Sequence, residues 1–206
     1  MISALEALAR LKEGNLRFVS GERSPEARLD QLERIKRGGD QSPFAIILGC
    51  SDSRVPAELV FDQGIGDLFV IRVAGNIVAP SQVGSIEFAA DQFGTRLVVV
   101  MGHSNCGAVQ ATLRHLERPA QLGSPNLGII IKSIQPCVQA LLESEPGFDR
   151  DELLTRAVRD NIRASADLLR HGSAVLETLI QDKGLLVIGA EYSLETGLVD
   201  FFDGVR

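Results

Sequence analysis

Five side chains in two short stretches could do chemistry. Cys50-Ser51-Asp52-Ser53-Arg54 carries a thiol, a carboxylate and a guanidinium, and His103-Ser104-Asn105-Cys106 carries an imidazole and a second thiol. Thiolate and imidazole are donors that zinc accepts readily, and three protein ligands with one position open is a catalytic rather than a structural arrangement. Cys50, His103 and Cys106 would supply the three. Asp52 and Arg54 stand two residues apart, so in an extended segment their side chains point the same way and can pair through charge-assisted hydrogen bonds. Arg54 would then hold Asp52 ionised and aimed at the open position. The alternative reads Cys50 and Cys106 as buried core thiols, His103 as a satisfied core histidine, and Asp52–Arg54 as a surface ion pair of little worth.

Both stretches follow apolar runs. Phe44-Ala45-Ile46-Ile47-Leu48-Gly49 and Leu97-Val98-Val99-Val100-Met101 have the length and composition of buried parallel strands. Ligands in open α/β sheets bind at the carboxyl ends of such strands, which is where the five side chains fall. Gly107 to Leu116 reads as a helix, so Cys106 sits at a helix N-terminus, where the positive end of the dipole favours a thiolate.

The rest of the chain alternates strands and helices. Helical spacing predicts a helix over 3–18, which Gly21 ends or whose following loop it opens, and a second over 25–37. A short helix is expected at 56–61, a strand at 68–73, and a tight segment at Ala74-Gly75-Asn76. Ser81 or Ser85 is expected to cap the helix carrying Ile86 and Phe93. Helices follow over 125–143, 149–171 and 173–182, with Pro146-Gly147 between the first two. A strand at 184–190 and an edge strand at 198–202 end the chain. Cys137 falls on the apolar stripe of its helix and reads as core. The pattern predicts an α/β fold, a mostly parallel central sheet of about four parallel strands flanked by helices. We read residues 1–206 as one domain with an N-terminal helical arm over 1–40.

Composition excludes several classes. A net charge of -6 and 5% aromatic residues without Trp argue against a nucleic-acid surface. No apolar run approaches the roughly 20 residues of a membrane span. Met1 to Ser20 lacks the basic start and apolar core of a signal peptide, and three cysteines suit a reducing compartment and a metal better than a disulfide framework. A cytoplasmic protein is expected.

The motifs Cys-Ser-Asp-Ser-Arg at 50–54, Gly-Asp-Leu-Phe-Val at 66–70 and Gly-His-Ser-Asn-Cys-Gly at 102–107 resemble those of the beta-class carbonic anhydrases, bacterial type, over most of the chain. The resemblance implies one Zn2+ per chain on Cys50, His103 and Cys106, with Asp52 and Arg54 as a catalytic dyad. It also implies a substrate pocket that includes Gln41 (reaching in from a partner subunit), Phe69, Ala74, Phe88 and Gly107. Phe88 departs from plant-like members, which often carry Tyr there. An antiparallel course for the edge strand, N-terminal helices packing on a partner subunit, and a homodimer or homotetramer are implied as well. Arg72 and Tyr192 match two members of a bicarbonate pocket found in part of the family. The third, a Trp, is Ile47 here, so allostery of that kind is not expected, and Arg72 reads as a strand arginine satisfied by backbone carbonyls.

The activity implied is the reversible hydration of CO2 to bicarbonate and a proton, by attack of a zinc-bound hydroxide oriented by the dyad. Zinc lowers the pKa of bound water to about 7 in well-studied enzymes, and two thiolate ligands suggest a higher value and an alkaline activity. His115 and His171 read as surface residues, so buffer or a water chain would carry the proton away. Two other readings stay open at this point: hydrolysis of CS2 or COS at the same site, and a zinc-binding protein without turnover.

Overall fold

The computed structural model describes residues 2–22, 41–118, 123–144 and 149–205. The helix expected over 25–37 lies outside them. The described elements run α1 (Ala4–Ser20), β1 (Ala45–Gly49), α2 (Ala57–Val60), β2 (Leu68–Arg72), a 3-10 turn (Ala74–Asn76), α3 (Pro80–Gln92), β3 (Leu97–His103), α4 (Gly107–Glu117), α5 (Pro125–Ser144), α6 (Arg150–His171), α7 (Ala174–Lys183), β4 (Leu186–Tyr192) and β5 (Val199–Asp203).

The five strands form one sheet in the order β2-β1-β3-β4-β5. β1 pairs parallel with β2 and with β3, β3 pairs parallel with β4, and β5 closes the edge antiparallel to β4. The parallel strands are what the apolar runs predicted, and the antiparallel edge strand is what the family resemblance implied. Every residue of β1 and of β3 is buried, which is why these strands read as continuous apolar runs rather than alternating ones.

Alternate side chains feed two cores. Ile46, Leu48, Val98 and Val100 face one layer, where Ile86 of α3, Val109 of α4, Ile134 of α5 and Ile162 of α6 pack on them. Ala45, Ile47, Leu97, Val99 and Met101 face the other, under Leu8 and Leu11 of α1 and Val60 of α2. Full burial of one such aliphatic side chain stabilises by about 1.5–3 kcal/mol.

α1 is delimited at both ends as its sequence requires. Ser3 and Glu6 form a reciprocal capping box, and Gly21 ends the helix in the left-handed conformation at φ 73°. Its Ala4, Ala7, Leu8 and Leu11 lie on this chain's own sheet, while Leu5 and Leu16 stand exposed. Gly14 is the point of closest approach: a Cβ there would come within 1.8 Å of the Phe61 carbonyl oxygen. Backbone cannot yield to that contact as a flexible side chain would. Gly14→Ala is therefore expected to cost ~3 kcal/mol or more, seen as a lower urea midpoint with an unchanged slope.

One expectation is corrected. α3 starts at Pro80 with Ala79 as its N-cap residue and no side-chain capping bond. Pro at the first helical position has its φ preset for a helix and a missing N–H that would have no intrahelical partner anyway, so the helix starts ahead of both serines. Ser81 and Ser85 lie inside the helix, where the Ser85 hydroxyl donates to the Ser81 carbonyl at 2.7 Å.

Candidate metal centre

The parallel register brings the two chemical stretches together. Gly49 stands opposite Met101 of β3 on one side and Arg72 of β2 on the other, so the chain segments leaving β1 and β3 emerge side by side. Cys50 begins the first, His103 ends β3, and Cys106 is the N-cap residue of α4. All three are buried, at 6%, 0% and 1% exposure. Their candidate ligand atoms lie within 4.8 Å of one another.

This arrangement fits a metal ion. The His103 Nδ1 lies 2.8 Å from the Ser104 carbonyl oxygen, so Nδ1 carries the proton and Nε2 keeps a lone pair. Nε2 is buried and has no hydrogen-bond partner among the described residues. A buried acceptor left unpaired costs free energy, and a cation at the centre of the triplet would satisfy it. The electrostatics agree. Cys50 is pushed down from the ordinary thiol range, chiefly by the Cys106 thiol beside its sulfur, with the neighbouring His103 ring and the Gly75 N–H adding to it against the opposing effect of burial. Burial disfavours charge on His103, yet the Cys50 sulfur, the Ser104 carbonyl and Asp52 outweigh it, so its pKa is raised. Cys106 moves the other way, pushed up by the Cys50 sulfur beside it and by burial, so the first negative charge of the thiol pair falls on Cys50.

Asp52 and Arg54 are paired as expected, but across a turn in which the Val55 N–H donates to the Asp52 carbonyl at 3.1 Å rather than along an extended segment. Arg54 Nε donates to Asp52 Oδ1 at 2.9 Å and Nη2 donates to Oδ2 at 2.8 Å, while the Arg54 backbone N–H adds a third bond to Oδ1 at 3.0 Å. These bonds hold the carboxyl well below the usual carboxylate range. Oδ1 has two donors and Oδ2 has one, and Oδ2 lies 3.8 Å from His103 Nε2. The less occupied oxygen therefore faces the ligand triplet.

The other expected pocket residues divide. Ala74 opens the 3-10 turn after β2, and Gly107 opens α4 with nothing within 4 Å of where a Cβ would project. Both adjoin the triplet. Phe69 is opposite Ile46, four residues before Cys50, or roughly 13 Å along the strands. Phe88 packs on Phe69 with ring centroids 6.3 Å apart and is 52% exposed. Gln41 precedes β1 and is exposed beside Gly66. Gln41, Phe69 and Phe88 thus lie toward the far end of the strands, and this chain does not bring them to its own triplet.

The structure also supplies residues that the spacing arguments missed. Arg72 Nε and Nη2 donate to the backbone carbonyls of Cys50 and Asp52 at 3.2 and 2.6 Å, the satisfaction by carbonyls expected of it, though not its tie to this loop. Glu195 accepts hydrogen bonds from the Ser104 hydroxyl and the Asn105 amide at 2.8 and 2.9 Å, bracing a turn in which Asn105 is left-handed at φ 57°. Asn161 of α6 donates to the Gly75 carbonyl. A polar residue on a mostly apolar helical stripe was the only signal for it.

Comparison with known proteins places this geometry. The carbonic anhydrase family model matches residues 45–199, from β1 into β5, with all three thiol and imidazole residues inside. A beta-carbonic anhydrase structure from Aspergillus fumigatus is 26% identical, covers 98% of this chain and 91% of its own, and superposes with a TM-score of 0.75. The chain belongs to the beta-carbonic anhydrase family. Membership carries the enzyme class, the hydration of CO2. Carbonic anhydrase 2 of Mycobacterium tuberculosis is 39% identical over 189 residues, covering 91% of this chain and 87% of that protein. A structure described as one of two tetrameric beta-carbonic anhydrases, from Sordaria macrospora, is 25% identical, covers 86% of this chain and 89% of its own, and has a TM-score of 0.73. No helix among the described residues is long and apolar enough to cross a membrane.

Proposed function

We propose that the chain interconverts CO2 and bicarbonate at a zinc ion held by Cys50, His103 and Cys106, with Asp52 and Arg54 as the orienting dyad. The observation that carries this reading is the orphaned His103 Nε2 inside a buried triplet whose neighbour is a doubly anchored carboxylate. Zinc in such a site supplies Lewis acidity, making water a nucleophile near neutral pH.

The protein's own groups divide the remaining tasks. Asp52 Oδ2 accepts a hydrogen bond from the attacking oxygen and keeps a lone pair of that oxygen turned to the CO2 carbon. Its pKa, held low by Arg54, makes it too weak a base to take the proton, so Asp52 orients and does not shuttle. Arg72 keeps the segment carrying Cys50 and Asp52 in one conformation through its two carbonyl bonds. The proton leaves to solvent or buffer. His115 is nine residues beyond Cys106, roughly 13 Å along a helix, too far for direct transfer.

Gln41, Phe69 and Phe88 serve the site of a second copy in this reading. The exposed Phe88, together with exposed Leu5 and Leu16 of α1, is the support for self-association into a dimer or a dimer of dimers. A cytoplasmic location fits the ligand thiols, which need reducing conditions.

Stopped-flow CO2 hydration on zinc-quantified protein tests the function at neutral and clearly alkaline pH. Turnover at either pH, proportional to bound zinc, is expected. One zinc per chain without turnover at both would overturn the assignment.

A further inference from the structure

We infer that Asn161 is a positioning residue for the Cys50 thiolate, acting through the backbone of Gly75. The inference rests on the metal-centre reading above. Asn161 is 3% exposed, on the face of α6 that also buries Ala157, Val158, Ile162 and Ser165. Its Nδ2 donates to the Gly75 carbonyl at 2.8 Å across 86 residues of sequence. The Gly75 N–H in turn donates to the Cys50 Sγ at 3.4 Å. One side-chain amide on a core helix is thereby connected, through one residue, to a ligand sulfur.

Gly75 is a suitable joint for this. It is left-handed at φ 69°, a conformation that glycine adopts without the Cβ penalty. A Cβ there would come within 2.7 Å of Ile134 Cδ1 and 3.0 Å of Ala108 Cβ, so α5 and α4 close in on the turn from the side. Packing confines the turn's position. Packing is non-directional and does not by itself set the rotation of the peptide planes. The plane that carries the Gly75 carbonyl is held at both edges, by Asn161 at the carbonyl and by the Asn76 N–H, which donates to the Val73 carbonyl at 3.1 Å, and the Gly75 torsions join it to the neighbouring plane that carries the Gly75 N–H.

The chemical consequence is on the sulfur. An N–H pointing at a thiolate draws charge from it, which lowers its donor strength toward the metal and fixes its orientation. Outer-sphere partners of this kind typically change metal affinity or activity by about 10–100-fold when removed. Asn161 touches neither metal nor substrate, so its effect should appear first in metal binding and ligand electronics.

The test uses cobalt(II)-substituted protein and two variants, Asn161→Leu and Asn161→Ala. Release of the metal to a competing chelator should accelerate about tenfold or more, because the loss of a fixed thiolate orientation outweighs the regained donor strength, and the thiolate-to-cobalt charge-transfer band should move to longer wavelength as the sulfur regains charge. Leu169→Ala, two turns further along α6, removes core packing and serves as the control for general loosening. Its band should stay at the wild-type position even where its melting temperature falls as far as that of the Asn161 variants. A folded Asn161 variant with wild-type band and release rate overturns the inference. So does an equal band shift in Leu169→Ala, which would make Asn161 merely structural. Wild-type protein that takes up no cobalt and no zinc overturns the metal-centre reading itself, and this inference with it.

Discussion

Asp52→Asn is expected to lower kcat/KM for CO2 hydration by about 100- to 1,000-fold, the range for removing one preorganised transition-state contact, while zinc stays at one per chain. Asn keeps the shape of the side chain and one acceptor oxygen. It loses the charge that Arg54 holds with two side-chain bonds, and its amide nitrogen can take the place of the oxygen facing the triplet. The measurement pairs stopped-flow rates with metal content on the same sample. A variant with reduced zinc but a normal rate per zinc would show that Asp52 shapes the site rather than orients the nucleophile. The bidentate geometry makes a further point about Arg54. Its guanidinium is 59% exposed, so its value lies in fixing the carboxylate and not in the net strength of a surface ion pair.

Removal of the metal is expected to abolish turnover and also to destabilise the fold. Three buried donors converge within 4.8 Å of one another, and Nε2 of His103 has no partner among the described residues. Protein treated with a chelator should regain activity on adding zinc. Binding at a free concentration of 1,000 times Kd stabilises by about 4 kcal/mol, which for a chain of this size is a melting-temperature shift on the order of 10 °C. Differential scanning calorimetry with and without chelator measures it. A chelator that leaves both melting temperature and activity unchanged would contradict the three-ligand reading.

Much of the site was legible because its parts are local. Cys50 and His103 each follow an apolar run directly, so burial of β1 and β3 on both faces carried them to one end of one sheet. The Asp52–Arg54 pair needed only a two-residue spacing. What was not legible depends on where remote chain segments arrive. Asn161 on α6 announces that a buried amide must find a partner, but not that the partner is the carbonyl of Gly75. The same holds for Glu195, which reaches the Ser104–Asn105 turn from beyond β4. Start signals misled at α3, where two serines suggested a cap and Pro80 took the first position instead. Gln41 was expected to serve a partner's site, but that Phe69, and Phe88 packed on it, stand away from this chain's own triplet is visible only in the strand register and the packing.

That separation has a genetic meaning. If the ligand triplet of one copy is completed by Gln41, Phe69 and Phe88 of another, the two halves of a working site are inherited on different polypeptides. A chain damaged at Cys50 still lends its far-end residues, and a chain damaged at Phe88 still offers its triplet. Two alleles that are each inactive alone would then restore one intact site in every mixed pair. Conversely, a chain lacking either half would depress the activity of a healthy copy expressed beside it.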